Sequence, residues 1–392
     1  MRSWLAKFVL GFGTISRLLP AAPEPVAKPA IALIDPNDAE QWQAWTKAVG
    51  WQLIVPRIPA KAAMDPRVQA VEAAVNEAIQ AGSADASRIY LAGRGETSAA
   101  VFYAISRLPD LWAGAAALGG SPQPAIDSSR LYAANFSHVP VLWVSPDAQD
   151  QALATKLKDA GLNLEWRNAQ SFSVHSLFEI LAGYTRPDNP ARIDCETNSP
   201  SFAHCYWVRM TKFDAGERNE VLPSSHIQPE TIPALDLGGF GYRPDDAGPG
   251  VAVSFLPEKY SGPLKMGDRL VALDGRPIAD AREFHDLLAA AKQERPATVM
   301  VQRGKERVRL ETAITMPKPT APVTARVQAE FDSMTKEIRI VSRAVTEMRV
   351  TIPAPWTPLL LRWNGVPVTV VDVPGCRLLR IDQELETAAP CP

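Results

Sequence analysis

The sequence predicts a doubly wound α/β domain followed by two smaller units, the last of them all-β. Three observations carry this reading. Between residues 30 and 185, short apolar runs alternate with helical segments, the pattern of a parallel sheet covered on both faces. Within 65–81, Val68, Val71, Val75 and Ile79 recur at helical spacing and make one apolar stripe. Near the end, residues 336–342 alternate charged and apolar side chains, as a strand with one wet face does.

Taken in order, strands are expected at 30–34, 51–55, 88–92, 114–118, 139–144 and 162–166. Helices are expected between them at 38–49, 65–81, 98–108 and 150–160. From 185 to 231 the pattern dissolves into turn-forming residues around one strand-like run, 205–210. A second compact unit follows at 234–316, and the PKPTAP run at 317–322 reads as a linker. Strands at 324–331, 337–342, 346–352, 359–363 and 366–371 then suggest a small sandwich. The expected division is a leader at 1–29, the α/β domain at 30–185 and a connector at 186–233 that holds the first strand of the β-domain. The compact unit at 234–316, the β-sandwich at 323–375 and a tail at 376–392 complete it.

Composition narrows the function classes. The chain has 392 residues, 46% hydrophobic and 21% charged, enough for each domain to bury a core. A net charge of −2 without a long basic run argues against a nucleic-acid partner. Past residue 25 no run approaches the ~18 apolar residues of a membrane span. No metal or cofactor is expected. Residues 1–7 are mildly basic, 8–15 are apolar and Ala21-Ala22 offers a small-residue cleavage context. That is the outline of a secretory signal, although Arg17 interrupts it, and a plain leader is the alternative. The four cysteines fall as near-neighbour pairs, Cys195/Cys205 and Cys376/Cys391, which favours two local disulfides and an oxidising compartment. A metal reading would recruit His204 beside Cys205, but adjacent side chains on a strand point to opposite faces. Leader and cysteines together favour export over the cytoplasm, to the periplasm or outside the cell.

The first domain carries a family resemblance. Arg88-Ile-Tyr-Leu-Ala-Gly93 runs into a glycine turn and a helix near Ser98, followed by Ala113-Gly-Ala-Ala-Ala-Leu-Gly-Gly-Ser121. With Pro140-Val-Leu-Trp-Val144 and Phe172-Ser-Val-His175-Ser176, this resembles the α/β-hydrolase superfamily, in its feruloyl-esterase and polyhydroxyalkanoate-depolymerase-like branch. The resemblance implies a catalytic acid at Asp147 or Asp150 and a base at His175. The nucleophile is missing. The family's G-x-S-x-G elbow lifts a serine toward substrate. Here it reads Gly93-Arg94-Gly95-Glu96-Thr97, with Gly95 where the serine belongs and Thr97 replacing the last glycine. The oxyanion loop, His-Gly in the family, reads Asp35-Pro-Asn-Asp38. Ser98 and Ser121 are the alternative nucleophiles. The favoured readings are plainer: Ser98 caps or starts the helix, His175 is an inherited surface or capping histidine and Glu96 a solvated side chain.

The unit at 234–316 resembles a PDZ domain over its whole length. Gly239-Phe240-Gly241-Tyr242 matches the family's carboxylate-binding loop, and Met266-Gly-Asp-Arg-Leu with Asp274-Gly275 matches its second signature. The resemblance implies that backbone N–H groups capture a peptide's C-terminal carboxylate while the peptide adds a strand beside 240–243. Phe240 would floor a pocket for the last side chain, and Leu287 and Leu288 divide between pocket wall and core. Ala281 aligns where some members carry a histidine, and His285 lies one turn on. Phe202-Ala-His-Cys-Tyr-Trp-Val208 and the region from Trp356 to Asn364-Gly365 look like the β-domain that follows some bacterial hydrolase domains. The PDZ-like unit would then be inserted into that domain.

The combination reads as a catalytically degenerate hydrolase-fold protein that binds the C-terminal peptide of another protein, a scaffold in the bacterial envelope. A carboxylic-ester hydrolase with a non-standard nucleophile is the alternative. A structural envelope protein is a third class, and it leaves the G-F-G-Y loop unused.

Overall fold

The computed structural model describes residues 27–59, 62–217, 219, 221–229, 232–243, 248–316, 323–382 and 385–391. Nearly all of the expected leader, and the linker at 317–322, lie outside the described residues.

Among the described residues the first domain holds six strands: β1 (Lys28–Leu33), β2 (Gln52–Ile54), β3 (Ala84–Arg94), β4 (Gly114–Leu118), β5 (Val141–Ser145) and β6 (Leu164–Asn168). They form one parallel sheet in the order β2-β1-β3-β4-β5-β6. Between them run α1 (Ala39–Val49), α2 (Met64–Gln80), α3 (Ser98–Arg107), the short α4 (Gln123–Asp127) and α5 (Gln149–Asp159), with α6 (Val174–Ala182) after β6. The pleat sorts the strands' side chains by parity. Ala30, Ala32, Ile89, Leu91, Ala115 and Ala117 pack toward α2, α3 and α5. Ile31, Leu33, Tyr90, Ala92, Ala116 and Leu142 pack toward Trp42 of α1 and Leu177 and Leu181 of α6. Both faces are therefore apolar, which is why these strands read as unbroken hydrophobic runs. Strand order reverses between β1 and β3, so the crevice where such sheets bind ligands lies at Asp35 and Gly95.

Strands β7 (Arg192–Thr197), β8 (His204–Cys205) and β9 (Val208–Phe213) follow. The middle unit contains β10 (Ala234–Leu235), β11 (Gly241–Tyr242), β12 (Val251–Phe255), β13 (Arg269–Leu273), β14 (Arg276–Pro277), α7 (Ala281–Ala289), β15 (Arg295–Arg303) and β16 (Glu306–Thr315). Its sheet runs β10-β16-β15-β13-β12-β11, and its core includes Leu235, Val253, Leu270, Phe284 and Val299. The chain ends with β17 (Ala325–Asp332), β18 (Glu337–Arg343), β19 (Val345–Ile352), β20 (Leu359–Trp363), β21 (Val366–Val371), β22 (Gly375–Asp382) and β23 (Leu385–Pro390).

Two sheets, β21-β20-β18-β17-β7 and β23-β22-β19-β9-β8, enclose a core containing Trp207, Val327, Met348 and Trp363. Because β7 pairs with β17 and β9 with β19, strands from both sides of the middle unit build one sandwich, and that unit is inserted into it. Two expectations need correction. The run 205–210, taken as a single strand, is a hairpin: Tyr206 turns the chain at φ +53° between β8 and β9. The segment 376–392, taken as a tail, supplies most of β22 and all of β23, in which 377–382 pair with 385–390. Both cysteine pairs are disulfides. Cys195–Cys205 ties β7 in one sheet to β8 in the other, and Cys376–Cys391 closes the last hairpin.

Glu196 of β7 is buried and accepts four hydrogen bonds. The donors are the hydroxyls of Ser224, Ser225 and Thr324 and the Ser225 amide. Ser224 and Ser225 lie before the inserted unit and Thr324 after it. Their Oγ atoms come within 3.5 Å of each other at Ser224 and Thr324.

The α/β domain meets the sandwich through Asp110, after α3, which pairs with Nδ1 of His204 on β8. The carboxylate also accepts the Tyr206 amide. Glu72 of α2 and Arg209 of β9 line the same hollow. The hydrogen bond to Asp110 raises the His204 pKa, against burial and the Arg209 charge. Burial alone would push Asp110 up, but the bond and charge of His204 hold its pKa below the usual carboxylate range. The folded protein thus favours protonated His204. That stability is complete below about pH 6.5 and is lost as pH rises through the raised folded pKa. Asp110 contributes above its unfolded pKa and loses its share as pH falls through the lowered folded one. Urea midpoints of wild type and His204→Gln should therefore converge as pH climbs above about 6.5. A pH-independent gap would contradict this account.

Candidate functional site

The expected hydrolase residues lie near the carboxyl ends of the strands, and each serine among them is hydrogen-bonded to groups other than His175 among the described residues. The elbow backbone is present: β3 ends at Arg94, and Gly95 takes φ +58° before α3 begins at Ser98. A Cβ at Gly95 would meet nothing within 4 Å, so the family's serine position is open space. Around it the packing is close. A Cβ at Gly93 would lie 2.8 Å from Ile34 and Val101, and one at Gly120 would collide with the Gly95 carbonyl oxygen. Thr97, in place of the last motif glycine, bonds across the turn to the Arg94 amide and carbonyl, both at 2.8 Å.

The alternative nucleophiles are engaged elsewhere. Ser98 is fully buried and donates to the Leu118 carbonyl at 3.1 Å. The Ser121 hydroxyl accepts the Gln123 amide ahead of α4. Asp150 takes the Ser145 hydroxyl, and that same oxygen accepts the Asp147 amide. His175 is 78% exposed and stands 3.3 Å from Glu179 on its own helix. Among the described residues neither Ser98 nor Ser121 is bonded to His175. Asp35, on the altered oxyanion loop, pairs with Arg67, and Glu96 is exposed. His204 is held by Asp110 and Cys205 by its disulfide, which leaves no ligand pair for the metal reading.

The second site is built differently. Gly238 and Gly239 take φ +81° and +76°, a left-handed pair that turns neighbouring N–H groups toward one concavity. The amides of Gly239 and Phe240 meet no backbone acceptor among the described residues. Tyr260 braces the loop: its hydroxyl donates to the Leu237 carbonyl and accepts the Leu264 amide at 3.0 Å. Beside the loop lies an apolar cavity of about 240 Å³ walled by Leu235, Phe240, Tyr242, Phe284 and Leu288, with His285 at its rim. The Tyr242 and Phe284 rings meet edge-on at 5.8 Å. Strand β11 ends the sheet order, leaving an edge beside the cavity for an added strand.

Of the two helix leucines, Leu288 faces the cavity and Leu287 packs half-buried on the core. Phe284 and Leu235 were not legible as walls, since only the closure of α7 and β10 onto β11 brings them there. The loop's backbone demand sits at Gly238 and Gly239. Gly241 does not have positive φ; it is small because a Cβ there would press on Phe255 at 3.0 Å. The second signature is structural. Asp268 is buried and takes two Arg303 hydrogen bonds at 2.7 and 2.9 Å. Burial would raise its pKa, but those bonds and the Lys265 amide hold it low. Asp274 and Gly275, both left-handed, turn β13 into β14.

The model of the PDZ domain family matches residues 238–314. This segment is a PDZ domain. The PDZ domain is thus the part of the chain placed in a family, and it holds both the glycine loop and the cavity. No curated protein matches the chain. Among solved structures, an HtrA-type protease with a decapeptide is 23% identical over 19% of this chain and 23% of its own, with a TM-score of 0.16. The chain thus spans about a quarter of that protease. Esterase PE8 is 15% identical over 40% of this chain and 92% of its own, and a thermostable esterase 15% over 42% and 56%, each with a TM-score of 0.30. These likenesses carry no argument about activity.

Proposed function

We propose that the protein is a peptide-binding scaffold whose PDZ domain captures the free C-terminus of a partner protein. On this reading the α/β domain serves as a frame without ester hydrolysis. The observation that carries it is a pair of left-handed glycines beside an apolar cavity open to a strand edge, with the Gly239 and Phe240 amides meeting no backbone acceptor among the described residues. The partner's carboxylate takes the amides of Gly239 and Phe240, its last side chain enters the cavity, and its backbone extends β11. The cavity's walls favour an apolar last residue. Two disulfides are compatible with an envelope location, periplasmic or secreted. Among the described residues no helix is long and apolar enough to cross a membrane.

The test is binding of labelled C-terminal peptides to the full chain. Failure of every free-acid peptide to bind would reject the reading. For the α/β domain, turnover of short-chain aryl esters should stay at background. Gly95→Ser should restore little: His175 stands away at Glu179, and each missing oxyanion donor costs ~2.7–4 kcal/mol. A turnover abolished by Ser98→Ala or Ser121→Ala would reinstate the hydrolase.

A further inference from the structure

The two faces of the strand β11 differ in chemistry. Phe240 and Tyr242 point to the cavity side, against Phe284. Gly241, between them, faces the other way, toward Phe255 of the neighbouring β12. A Cβ built at Gly241 would lie 3.0 Å from the Phe255 Cβ and 3.5 Å from its Cδ1, so the ring lies over the glycine. Phe255 is nonetheless 60% exposed. Pairing jumps from Gly241↔Phe255 to Tyr242↔Val253, a bulge at Ser254, whose hydroxyl donates to the Gly241 carbonyl at 3.3 Å.

The geometry points to a second specificity contact: the penultimate peptide residue is a large apolar side chain that packs on Phe255 across Gly241. This rests on the peptide-binding reading and adds a term to it. Successive side chains of a strand point to opposite faces, so a peptide with its last side chain in the cavity turns the one before it to the Phe255 face. Strands lie ~4.8 Å apart, which puts the peptide about two spacings from β12. Any side chain on the strand between would block that lane. Glycine leaves it open, and an aromatic ring reaching over a strand glycine is a known stabilising pairing.

The experiment uses the full chain and fluorescein-labelled octapeptides ending in leucine with a free carboxylate, identical except for alanine, aspartate, leucine or tryptophan in the penultimate position. Anisotropy should show the tryptophan and leucine peptides binding about 3–10-fold tighter than the alanine peptide, the equivalent of an aromatic contact. In Phe255→Ser, a change at an exposed side chain, that ratio should fall to about one. Equal binding across the series, or a preference that survives Phe255→Ser, overturns the Phe255 contact and leaves carboxylate capture standing. If no member of the series binds, the Phe255 contact falls, and if free-acid peptides with other last residues also fail, carboxylate capture falls with it.

Discussion

A peptide with a free C-terminal carboxylate should bind the full chain about 10–100-fold tighter than its amide. A hydrogen bond to a charged group is worth ~1.5–3 kcal/mol, and tenfold in affinity is ~1.4 kcal/mol. Amidation removes the charge that Gly239 and Phe240 would meet and replaces an acceptor with a donor group. The loop's shape should matter as much as the charge. Gly239 sits at φ +76°, with nothing within 4 Å of a built Cβ, so substitution there acts through the backbone alone. Gly239→Val forces a β-branched residue into the left-handed region and should abolish binding. Gly239→Asn should retain more, because asparagine tolerates that region. Titration of both variants with the same peptide is the measurement. Equal loss in both would assign the defect to side-chain bulk and refute the backbone account. Raising salt should weaken only the long-range attraction from exposed groups such as Arg243 and Lys265.

Reducing the disulfides should cost about 3 kcal/mol each in the chain-entropy model, for loops of 10 and 15 residues. Losing the Cys195–Cys205 bridge should disturb the fold more, since it joins the two sheets at two buried positions, whereas Cys376–Cys391 closes one hairpin. The Cys195→Ala/Cys205→Ala double variant should therefore lower the urea midpoint more than Cys376→Ala/Cys391→Ala does. The reverse order would contradict the inter-sheet role. Four free thiols in protein taken from its native compartment would remove the argument for export.

The α/β domain was legible because its strands are apolar on both faces and the helix α2 carries one apolar stripe. What local pattern does not hold is pairing. The β8–β9 turn was invisible because it places Tyr206 in the left-handed region, where a bulky residue is rarely found. Strand β23, Leu-Glu-Thr-Ala-Ala-Pro, has poor strand propensity; its place comes from pairing with β22 beside the disulfide. The PDZ loop was legible for the opposite reason, since Gly239-Phe240-Gly241-Tyr242 is a contiguous motif that needs no distant partner to be seen, although the left-handed pair proved to be Gly238 and Gly239. Its pocket walls were not, because Leu235 and Phe284 are far apart in sequence and meet only by folding.

The shared carboxylate of Glu196 makes the PDZ domain a cassette. Ser225 before the PDZ domain and Thr324 after it are tied to one side chain, and Ile227 is still bonded to Leu131 of the α/β domain, so the host holds both approaches to the insertion independently of what fills it. Domain insertions survive where their two ends lie close together. A lineage could exchange this reading head for another, or delete it and bridge the gap with a few residues, without rebuilding either sheet.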